Sequence, residues 1–217
     1  MDSKHTDSSF VTELIRLLKE AYPEPVCALG YEKDYELLFA ARLSAQCTDA
    51  RVNTVTPILF TGYPTLESLA GADAQDIERI IFPCGFYKIK ARDIIQCAAM
   101  LVNDFGGRVP GEMEQLLLLP GVGRKTANLI LGDIFGKPAV VADTHCIRIS
   151  NKLGLADSKD PVKVEAALRE LLPPGESSDF CHRLVLHGRA VCTARSPKCG
   201  DCCLNKLCRS GNYSVPP

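Results

Sequence analysis

The sequence has no long hydrophobic run and no excess of charge of one sign. No apolar stretch among its 217 residues approaches the roughly 18 residues that a membrane-spanning helix needs. The polar beginning, MDSKHTDSSF, lacks the basic start and apolar centre of a secretory signal peptide. Hydrophobic residues make up 46% and charged residues 24% of the chain, which is ordinary for globular proteins. We therefore expect a cytoplasmic globular protein that does not insert into membranes.

The net charge of −1 does not indicate a nucleic-acid-binding protein, but the basic residues are unevenly distributed. Between His182 and Arg209, six basic residues accompany one acid, Asp201. Such clustering predicts either a local positive patch that binds phosphates or a solvated basic tail. The six are Arg183, Arg189, Arg195, Lys198, Lys206 and Arg209.

Strand patterns are also scarce, since only residues 137–142 (KPAVVA) look extended. Apolar residues elsewhere recur at helical spacing, which predicts an all-α fold of about ten short helices. The predicted helices before the glycine-rich turn at residues 120–123 are 8–22, 33–46, 49–60, 65–72, 73–82, 87–107 and 110–119. After that turn, the predicted helices begin at Arg124 and then cover 144–155, 160–173 and 178–192.

Eleven cysteines are present, although an export signal is missing, and this argues against a disulfide framework. We expect most of the seven scattered cysteines to be small core residues. The seven are Cys27, Cys47, Cys84, Cys97, Cys146, Cys181 and Cys203.

The other four cysteines, Cys192, Cys199, Cys202 and Cys208, form the pattern C-x6-C-x2-C-x5-C. Structural zinc sites usually have two C-x2-C pairs, whereas this compact run of unequal spacings favours an iron–sulfur cluster. Zinc and four unrelated core cysteines remain alternatives. Cys203 could replace Cys202, but only Cys202 preserves the C-x2-C chelate. A cluster here would present Arg195 and Lys198 on the loop between its first two ligands.

The segment LPGVGRKTAN, residues 119–128, resembles two phosphate-binding motifs and matches neither. A Walker loop requires lysine where Arg124 follows Gly123, and a dinucleotide fingerprint requires glycine where Thr126 stands. The pattern instead predicts a helix, a glycine hairpin and a second helix. Gly121 and Gly123 can adopt conformations closed to other residues, and the first N–H groups of the second helix can bind an anion. The alternative is a plain connection between two helices.

Lys125 lies in the first turn of that second helix, where the helix dipole disfavours a cation. We expect the side chain to be partly buried, and desolvation would then further favour the free amine that Schiff-base chemistry needs. A second phosphate contact or an ordinary surface lysine is the alternative.

Asp143 stands where a helix N-cap is expected, just before THCIRIS. A fixed anion near a nucleophilic amine suits chemistry that passes through a cationic sugar. A simple cap is the alternative interpretation of this residue.

Taken together, these motifs resemble the endonuclease III family, the helix–hairpin–helix DNA glycosylases with an iron–sulfur cluster. The resemblance covers nearly the whole chain in order. It runs through residues 37–53 (LLFAARLSAQCTDARVN), 85–91 (GFYKIKA), LPGVGRKTAN, VADTH and 186–202 (LHGRAVCTARSPKCGDC). The hairpin alone is shared by many repair proteins, but the hairpin, lysine, aspartate and cysteine spacing together are specific.

The resemblance implies two domains, with DNA lying across the groove between them. Residues 27–137 would form a six-helix barrel that contains the helix–hairpin–helix at about 112–136. Residues 1–26 and 138–217 would form the cluster domain. The family roles fall on these positions: Lys125 as nucleophile, Asp143 as catalytic carboxylate, Cys192, Cys199, Cys202 and Cys208 as [4Fe–4S] ligands, and Gly121, Val122, Gly123, Arg124, Arg195 and Lys198 as DNA contacts.

Two further residues would act on the DNA stack. Gln46 would fill the space that the flipped nucleotide leaves, and Phe86 would wedge into the opposite strand. Many relatives carry leucine at the position of Phe86, and YKIKA at residues 87–91 departs from the commoner YNSKA.

The implied activity is base-excision repair on damaged duplex DNA. A bifunctional enzyme of this kind removes oxidised pyrimidines through a lysine Schiff base and cuts 3′ to the abasic site by β-elimination. We expect a monomer that is associated with the nucleoid. A monofunctional mismatch glycosylase is the nearest alternative, but such relatives lack the hairpin lysine and usually carry a further C-terminal domain. A non-enzymatic DNA-binding module is the second alternative.

Overall fold

The computed structural model describes residues 8–209, and within this range the chain forms α-helices, three short 3-10 turns and no strand. The all-α prediction is confirmed. The helices are α1 Ser8–Ala21, α2 Asp34–Leu43, α3 Asp49–Gly62, α4 Leu66–Ala70, α5 Ala74–Ile81, α6 Tyr87–Asp104, α7 Met113–Leu116, α8 Arg124–Asp133, α9 Thr144–Leu153, α10 Pro161–Leu171 and α11 Ser177–Ala190. The 3-10 turns are Phe82–Cys84, Pro174–Glu176 and Cys199–Asp201.

Short polar side chains determine where several helices begin. Asp73 accepts a hydrogen bond from the N–H of Gln75 at 2.7 Å, and Asp160 accepts one from Val162 at 2.8 Å. Thr65 and Ser68 cap α4 reciprocally, each accepting a hydrogen bond from the other's backbone N–H. These contacts satisfy N–H groups that lack partners within the helix.

Residues Cys27–Gly136 form one compact unit, which contains α2 to α8. Its longest helix, α6, packs against α2, α4 and α5, while α8 packs against α2 and α7. Leu37, Leu69, Ile77 and Ile94 are fully buried among these helices. Because α8 packs on α2, which itself packs on α6, the hairpin between α7 and α8 is attached to a packed core.

The second compact unit is discontinuous in sequence, because it combines α1 with the chain from Lys137 onward. Helix α11 packs against α1 and α9, and α9 packs against α10. Leu14, Leu18 and Leu184 are fully buried in this unit and Phe180 nearly so. No helix in either unit, within the described range, is long and apolar enough to cross a membrane.

Two predicted elements differ from the structure. The helix predicted over 110–119 is reduced to the single turn α7, because Leu117 and Leu118 turn outward ahead of Pro120 and are 42% and 64% exposed. Residues 137–142 form neither helix nor strand, although Ala139 and Val140 are fully buried. The apolar content of this segment reflects a buried connection and not a sheet.

Candidate active site and iron–sulfur centre

The turn between α7 and α8 is a tight hairpin. Gly121 has φ of +75°, in the left-handed region that favours glycine, and the Val122 N–H donates to the Leu119 carbonyl oxygen at 3.1 Å. Gly123 then caps α8, and its carbonyl oxygen accepts from the Ala127 N–H at 2.9 Å. By helix geometry, the N–H groups of the first turn of α8 have no intrahelical acceptor and are suited to bind an anion.

Gly123 itself does not have the unusual backbone conformation that its place in the motif predicted. Its φ of −102° and ψ of 176° lie in the extended region open to every residue. A Cβ atom at this position would meet no atom within 4 Å, so the space beside it is open. Of the two hairpin glycines, therefore, Gly121 is the one that the backbone conformation and its surroundings require.

A largely buried ion pair packs against the backbone of Gly121. Arg42 of α2 donates through Nε and Nη2 to Asp93 Oδ2 of α6, at 2.9 and 2.7 Å. A Cβ atom on Gly121 would lie 2.6 Å from Arg42 Nε and 2.8 Å from Asp93 Oδ2. The hairpin backbone therefore sits directly on this pair. Local sequence gives no signal for the pair, because its members are 51 residues apart.

Alanine at Gly121 is expected to destabilise the protein by about 2–5 kcal/mol, because it disturbs a buried ion pair and also strains a left-handed residue. Gly136→Ala is the matched control, since Gly136 also has positive φ (+59°) but open space around it. That control should lose only about 1–2 kcal/mol, the backbone part of the effect. Urea unfolding measures both changes. Equal losses in the two variants would contradict the support of Gly121 by Arg42 and Asp93.

Lys125 is the second residue of α8, and its side chain is exposed. The expectation of partial burial is wrong, because the buried face of α8 begins only at Ala127 and Asn128. Arg124, next to it, is exposed as well. The protein atoms themselves therefore leave the amine of Lys125 accessible to a ligand.

Gln46 and Phe86 occupy two exposed loops of the same unit, and their backbone is unusual. Gln46 has φ of 55° and Phe86 has φ of 49°, and among residues 8–209 no other non-glycine residue has positive φ. Phe86 is 62% exposed. Non-glycine residues in this region are uncommon and mark either turns or functional sites.

Asp143 is the N-cap of α9, as its sequence context predicted. Its Oδ1 atom accepts a hydrogen bond from the Cys146 N–H at 2.7 Å, and the Ile147 N–H donates to the Asp143 carbonyl oxygen at 2.8 Å. The cap fixes the carboxylate at the positive end of a helix, where negative charge is favoured. Asp143 belongs to the discontinuous unit, whereas Lys125 belongs to the Cys27–Gly136 unit.

The four clustered cysteines line one cavity. Cys192, Cys199, Cys202 and Cys208 surround about 320 Å³ of space free of protein atoms, part of it open to solvent. Over the described range, however, no three His, Cys, Asp or Glu side chains come close enough to hold a single metal ion. Four cysteine thiols around one cavity form a donor set that fits an iron–sulfur cluster, whose iron atoms are held by cysteine thiolates.

Neighbouring side chains anchor this cavity to the helices of the unit. Arg148 of α9 donates to the Cys192 carbonyl oxygen at 2.5 Å and lies 3.5 Å from its Sγ. His187 of α11 lies between Tyr22 Oη, 3.0 Å from Nδ1, and Cys202 Sγ, 3.4 Å from Nε2. Burial, followed by the charge of Arg148, lowers the pKa of His187. Sequence reasoning missed both anchors, because neither lies within the cysteine motif.

The loop between Cys192 and Cys199 presents its basic residues to solvent. Two hydrogen bonds shape the loop: Thr193 Oγ1 donates to the Ser196 carbonyl oxygen at 2.7 Å, and the Lys198 N–H donates to the Val191 carbonyl oxygen at 3.0 Å. Arg195 and Lys198 are exposed. Arg183 does not belong to such a patch. Arg183 is buried, donates to the Tyr22 carbonyl oxygen and lies 3.5 Å from Asp179. Its charge is therefore paired with groups of the protein and does not face solvent.

Four of the seven scattered cysteines are buried, which confirms that most of them are core residues. These four are Cys84, Cys97, Cys146 and Cys181, while Cys27, Cys47 and Cys203 are partly exposed.

Comparison with known proteins gives two family matches in chain order. Residues 39–174 match the HhH-GPD superfamily of base excision DNA repair proteins, and residues 192–208 match the iron–sulfur binding domain of endonuclease III. The chain is 47% identical to endonuclease III of Synechocystis over 94% of this chain and 93% of that protein. It belongs to the endonuclease III family.

Other relatives and solved structures agree. Endonuclease III of Bacillus subtilis is 42% identical over 88% of both chains, and that of Escherichia coli is 38% identical over 90% of this chain and 93% of that protein. The structure of a trapped endonuclease III–DNA covalent intermediate superimposes with a TM-score of 0.89, at 39% identity, covering 95% of this chain and 97% of that one. A thermostable thymine-DNA glycosylase, at 24% identity and a TM-score of 0.83, shares the fold.

Membership of the endonuclease III family decides several of the sequence predictions. The chain is a base-excision repair DNA glycosylase and AP lyase of the helix–hairpin–helix fold. It acts on duplex DNA and has a [4Fe–4S] cluster as its cofactor. The second family match begins at Cys192 and ends at Cys208, the first and last of the clustered cysteines.

Proposed function

We propose that this enzyme removes oxidised pyrimidines from duplex DNA with Lys125 as nucleophile and Asp143 as the catalytic carboxylate. The observation that carries the proposal is the position of the Lys125 side chain at the start of α8. Its exposed amine stands in the first turn of α8, directly after the hairpin of residues 121–123. The same turn offers N–H groups to a DNA phosphate, so a backbone bound at the hairpin brings a sugar toward the amine.

The chemistry proceeds in two stages. The unprotonated amine of Lys125 attacks C1′ of the damaged nucleotide, the bond from C1′ to the base breaks, and the base leaves with its bonding electron pair. The Asp143 carboxylate stabilises the positive charge that develops on the sugar during this step. The C1′–O4′ bond then breaks, the nitrogen gives up a proton and O4′ takes one up, which opens the sugar ring and leaves the Schiff base. The Schiff base acidifies a C2′ proton, and removal of that proton expels the 3′ phosphate by β-elimination.

Exposure of Lys125 changes how its amine becomes nucleophilic. The side chain is open to solvent in the protein alone, so the protein itself does not exclude water from the amine. Bound DNA would cover the first turn of α8 and exclude water there. In this proposal, therefore, the substrate supplies the desolvation that the sequence led us to expect from the protein.

DNA contacts are assigned to residues around this turn and on the cluster loop, all but the half-buried Val122 being exposed. Gly121, Val122, Gly123 and Arg124 would hold a phosphate, and Arg195 and Lys198 would extend the contact. Gln46 would fill the space of the flipped nucleotide, and Phe86, at 62% exposure, would wedge into the opposite strand. Unstacking costs a few kcal/mol and is cheapest at a damaged base, which contributes to selectivity.

We assign the cluster to Cys192, Cys199, Cys202 and Cys208, which line the same cavity. The bound cluster supplies no bond-making step and serves to fold this part of the chain. Arg148 and His187 would then hold the first and third ligands in place, and the loop from Cys192 to Cys199 would present Arg195 and Lys198. Cys203 remains outside this set.

The two compact units support a division into a six-helix barrel at residues 27–137 and a cluster domain formed by the rest of the chain. A DNA substrate supports a nucleoid-associated cytoplasmic location. We propose that the enzyme acts as a monomer.

A panel of duplexes that share one sequence and differ in a single lesion tests the substrate class. We expect release of an oxidised pyrimidine such as thymine glycol, together with a cut on its 3′ side, and no release of a pyrimidine dimer. Adenine opposite 8-oxoguanine and uracil opposite guanine are the competing substrates. Release of either in preference, without a strand cut, would overturn the proposal in favour of a monofunctional mismatch glycosylase.

A further inference from the structure

Lys90 of α6 is a buried cation that binds backbone only. Its side chain is 1% exposed, and its Nζ atom donates to three carbonyl oxygens, those of Leu43 and Ala45 at 2.8 Å and of Cys84 at 2.9 Å. Only a protonated lysine amine offers three donors from one atom. Burial lowers the pKa of Lys90, so the carbonyl acceptors, and not solvent, stabilise its charge.

These three carbonyls belong to two separate loops. Leu43 and Ala45 close α2 immediately before Gln46, and Cys84 ends the 3-10 turn just before Gly85 and Phe86. Lys90 therefore ties together the two segments that present the residues assigned to the DNA stack.

Each of the tied loops has a backbone that needs support. Gln46 and Phe86 both have left-handed φ, which costs a non-glycine residue roughly 1–2 kcal/mol. Such conformations persist when the surrounding structure holds them in place. Cys47 in the first loop is an electrostatic neighbour of Cys84 in the second: burial, and after it Cys47, raises the pKa of Cys84 to about 11.

We propose that Lys90 is a positioning residue for nucleotide flipping, which holds the Gln46 and Phe86 loops at a fixed spacing so that both side chains enter the DNA stack together. This inference rests on the proposed roles of Gln46 and Phe86. Lys90 touches neither DNA nor the sugar, and it acts only through the two loops. Its loss should affect the opening of duplex DNA and spare the chemistry of Lys125.

The test compares Lys90→Met, which keeps the chain length and removes all three donors, with Lys163→Met, the same change on the exposed face of α10. Single-turnover excision of thymine glycol from duplex DNA should fall about 100-fold in Lys90→Met, as expected for misplaced groups. Borohydride trapping at an abasic site in a single strand, which needs no opening, should match wild type. Lys163→Met should behave as wild type in both assays.

A second background distinguishes positioning from general damage to the fold. In a protein that carries Gln46→Ala and Phe86→Ala, Lys90→Met should cause no further loss of duplex excision, because the residues it positions are gone. Should Lys90→Met fail to fold, Lys90→Arg takes its place, since a planar guanidinium cannot donate to three convergent carbonyls from one atom.

Three results would each overturn the inference. One is unchanged duplex excision by Lys90→Met, and another is an equal loss of activity on duplex and on single-stranded DNA. The third is a full 100-fold loss of duplex excision when Lys90→Met is added to the Gln46→Ala, Phe86→Ala protein. A wild-type protein that neither excises thymine glycol nor forms a borohydride adduct would instead overturn the proposed function, so the two failures are distinguishable.

Discussion

Alanine in place of Lys125 is expected to abolish the covalent adduct with DNA and to lower base excision by several orders of magnitude. The reason is the loss of the nucleophile, because Lys125 is the one lysine in the first turn of α8, which begins Arg124, Lys125, Thr126. The side chain is exposed, and alanine is the best helix former, so the fold and the affinity for duplex DNA should remain close to wild type. Borohydride trapping on an abasic duplex measures the adduct, and thermal melting measures the fold.

Arg124→Ala is the matched control for Lys125→Ala. It removes one cation from the same turn of α8 and leaves the amine of Lys125 in place. We expect weaker DNA binding with a shallower salt dependence, but undiminished trapping once the enzyme saturates the DNA. Trapping of Lys125→Ala at the wild-type level would place the nucleophile elsewhere in the chain.

Asparagine in place of Asp143 is expected to lower single-turnover excision about 100- to 1,000-fold without loss of stability. Asparagine caps helices as well as aspartate does, so its side-chain oxygen can still accept from the Cys146 N–H. Only the negative charge is lost, and removal of one group that stabilises transition-state charge has an effect of this size. Excision of thymine glycol at saturating enzyme measures the rate.

The chain offers a close control for Asp143→Asn in Asp160→Asn. Asp160 is also an aspartate N-cap in the same unit, where it starts α10 and accepts from the Val162 N–H at 2.8 Å. Both variants should melt like wild type, and only Asp143→Asn should be slow. Equal rates in the two variants would reduce Asp143 to a helix cap, the alternative that the sequence left open.

Most of the fold could be predicted from the sequence because its signals are local. Apolar spacing located the helices, and Asp143 was predicted to cap the helix that begins at Thr144, as it does. The cysteine spacing indicated a cluster before any geometry was known. Each of these signals acts within one or two helical turns, where side-chain chemistry and backbone geometry are directly linked.

The contacts that support the site could not be predicted in the same way. The Arg42–Asp93 pair and the three acceptors of Lys90 join segments that only the packed fold brings together. Burial was the other unknown, since the letters K and R do not tell whether a cation faces water. Lys125 was expected to be partly buried and is exposed, whereas Arg183 was counted with the surface charges and is buried.

The discontinuous unit sets an order of assembly during synthesis. Helices α2 to α8 have their packing partners within one continuous stretch, so they can fold while the rest of the chain is still being made. Tyr22, by contrast, follows α1 directly and finds its hydrogen-bond partner His187 only 165 residues later. At about 5–20 residues per second, α1 waits on the order of 10 s or more after its own synthesis for α11 to emerge. The four cysteines assigned to the iron–sulfur cluster follow α11 in the chain, so the cluster can be inserted only after the hairpin of residues 121–123 has had time to form.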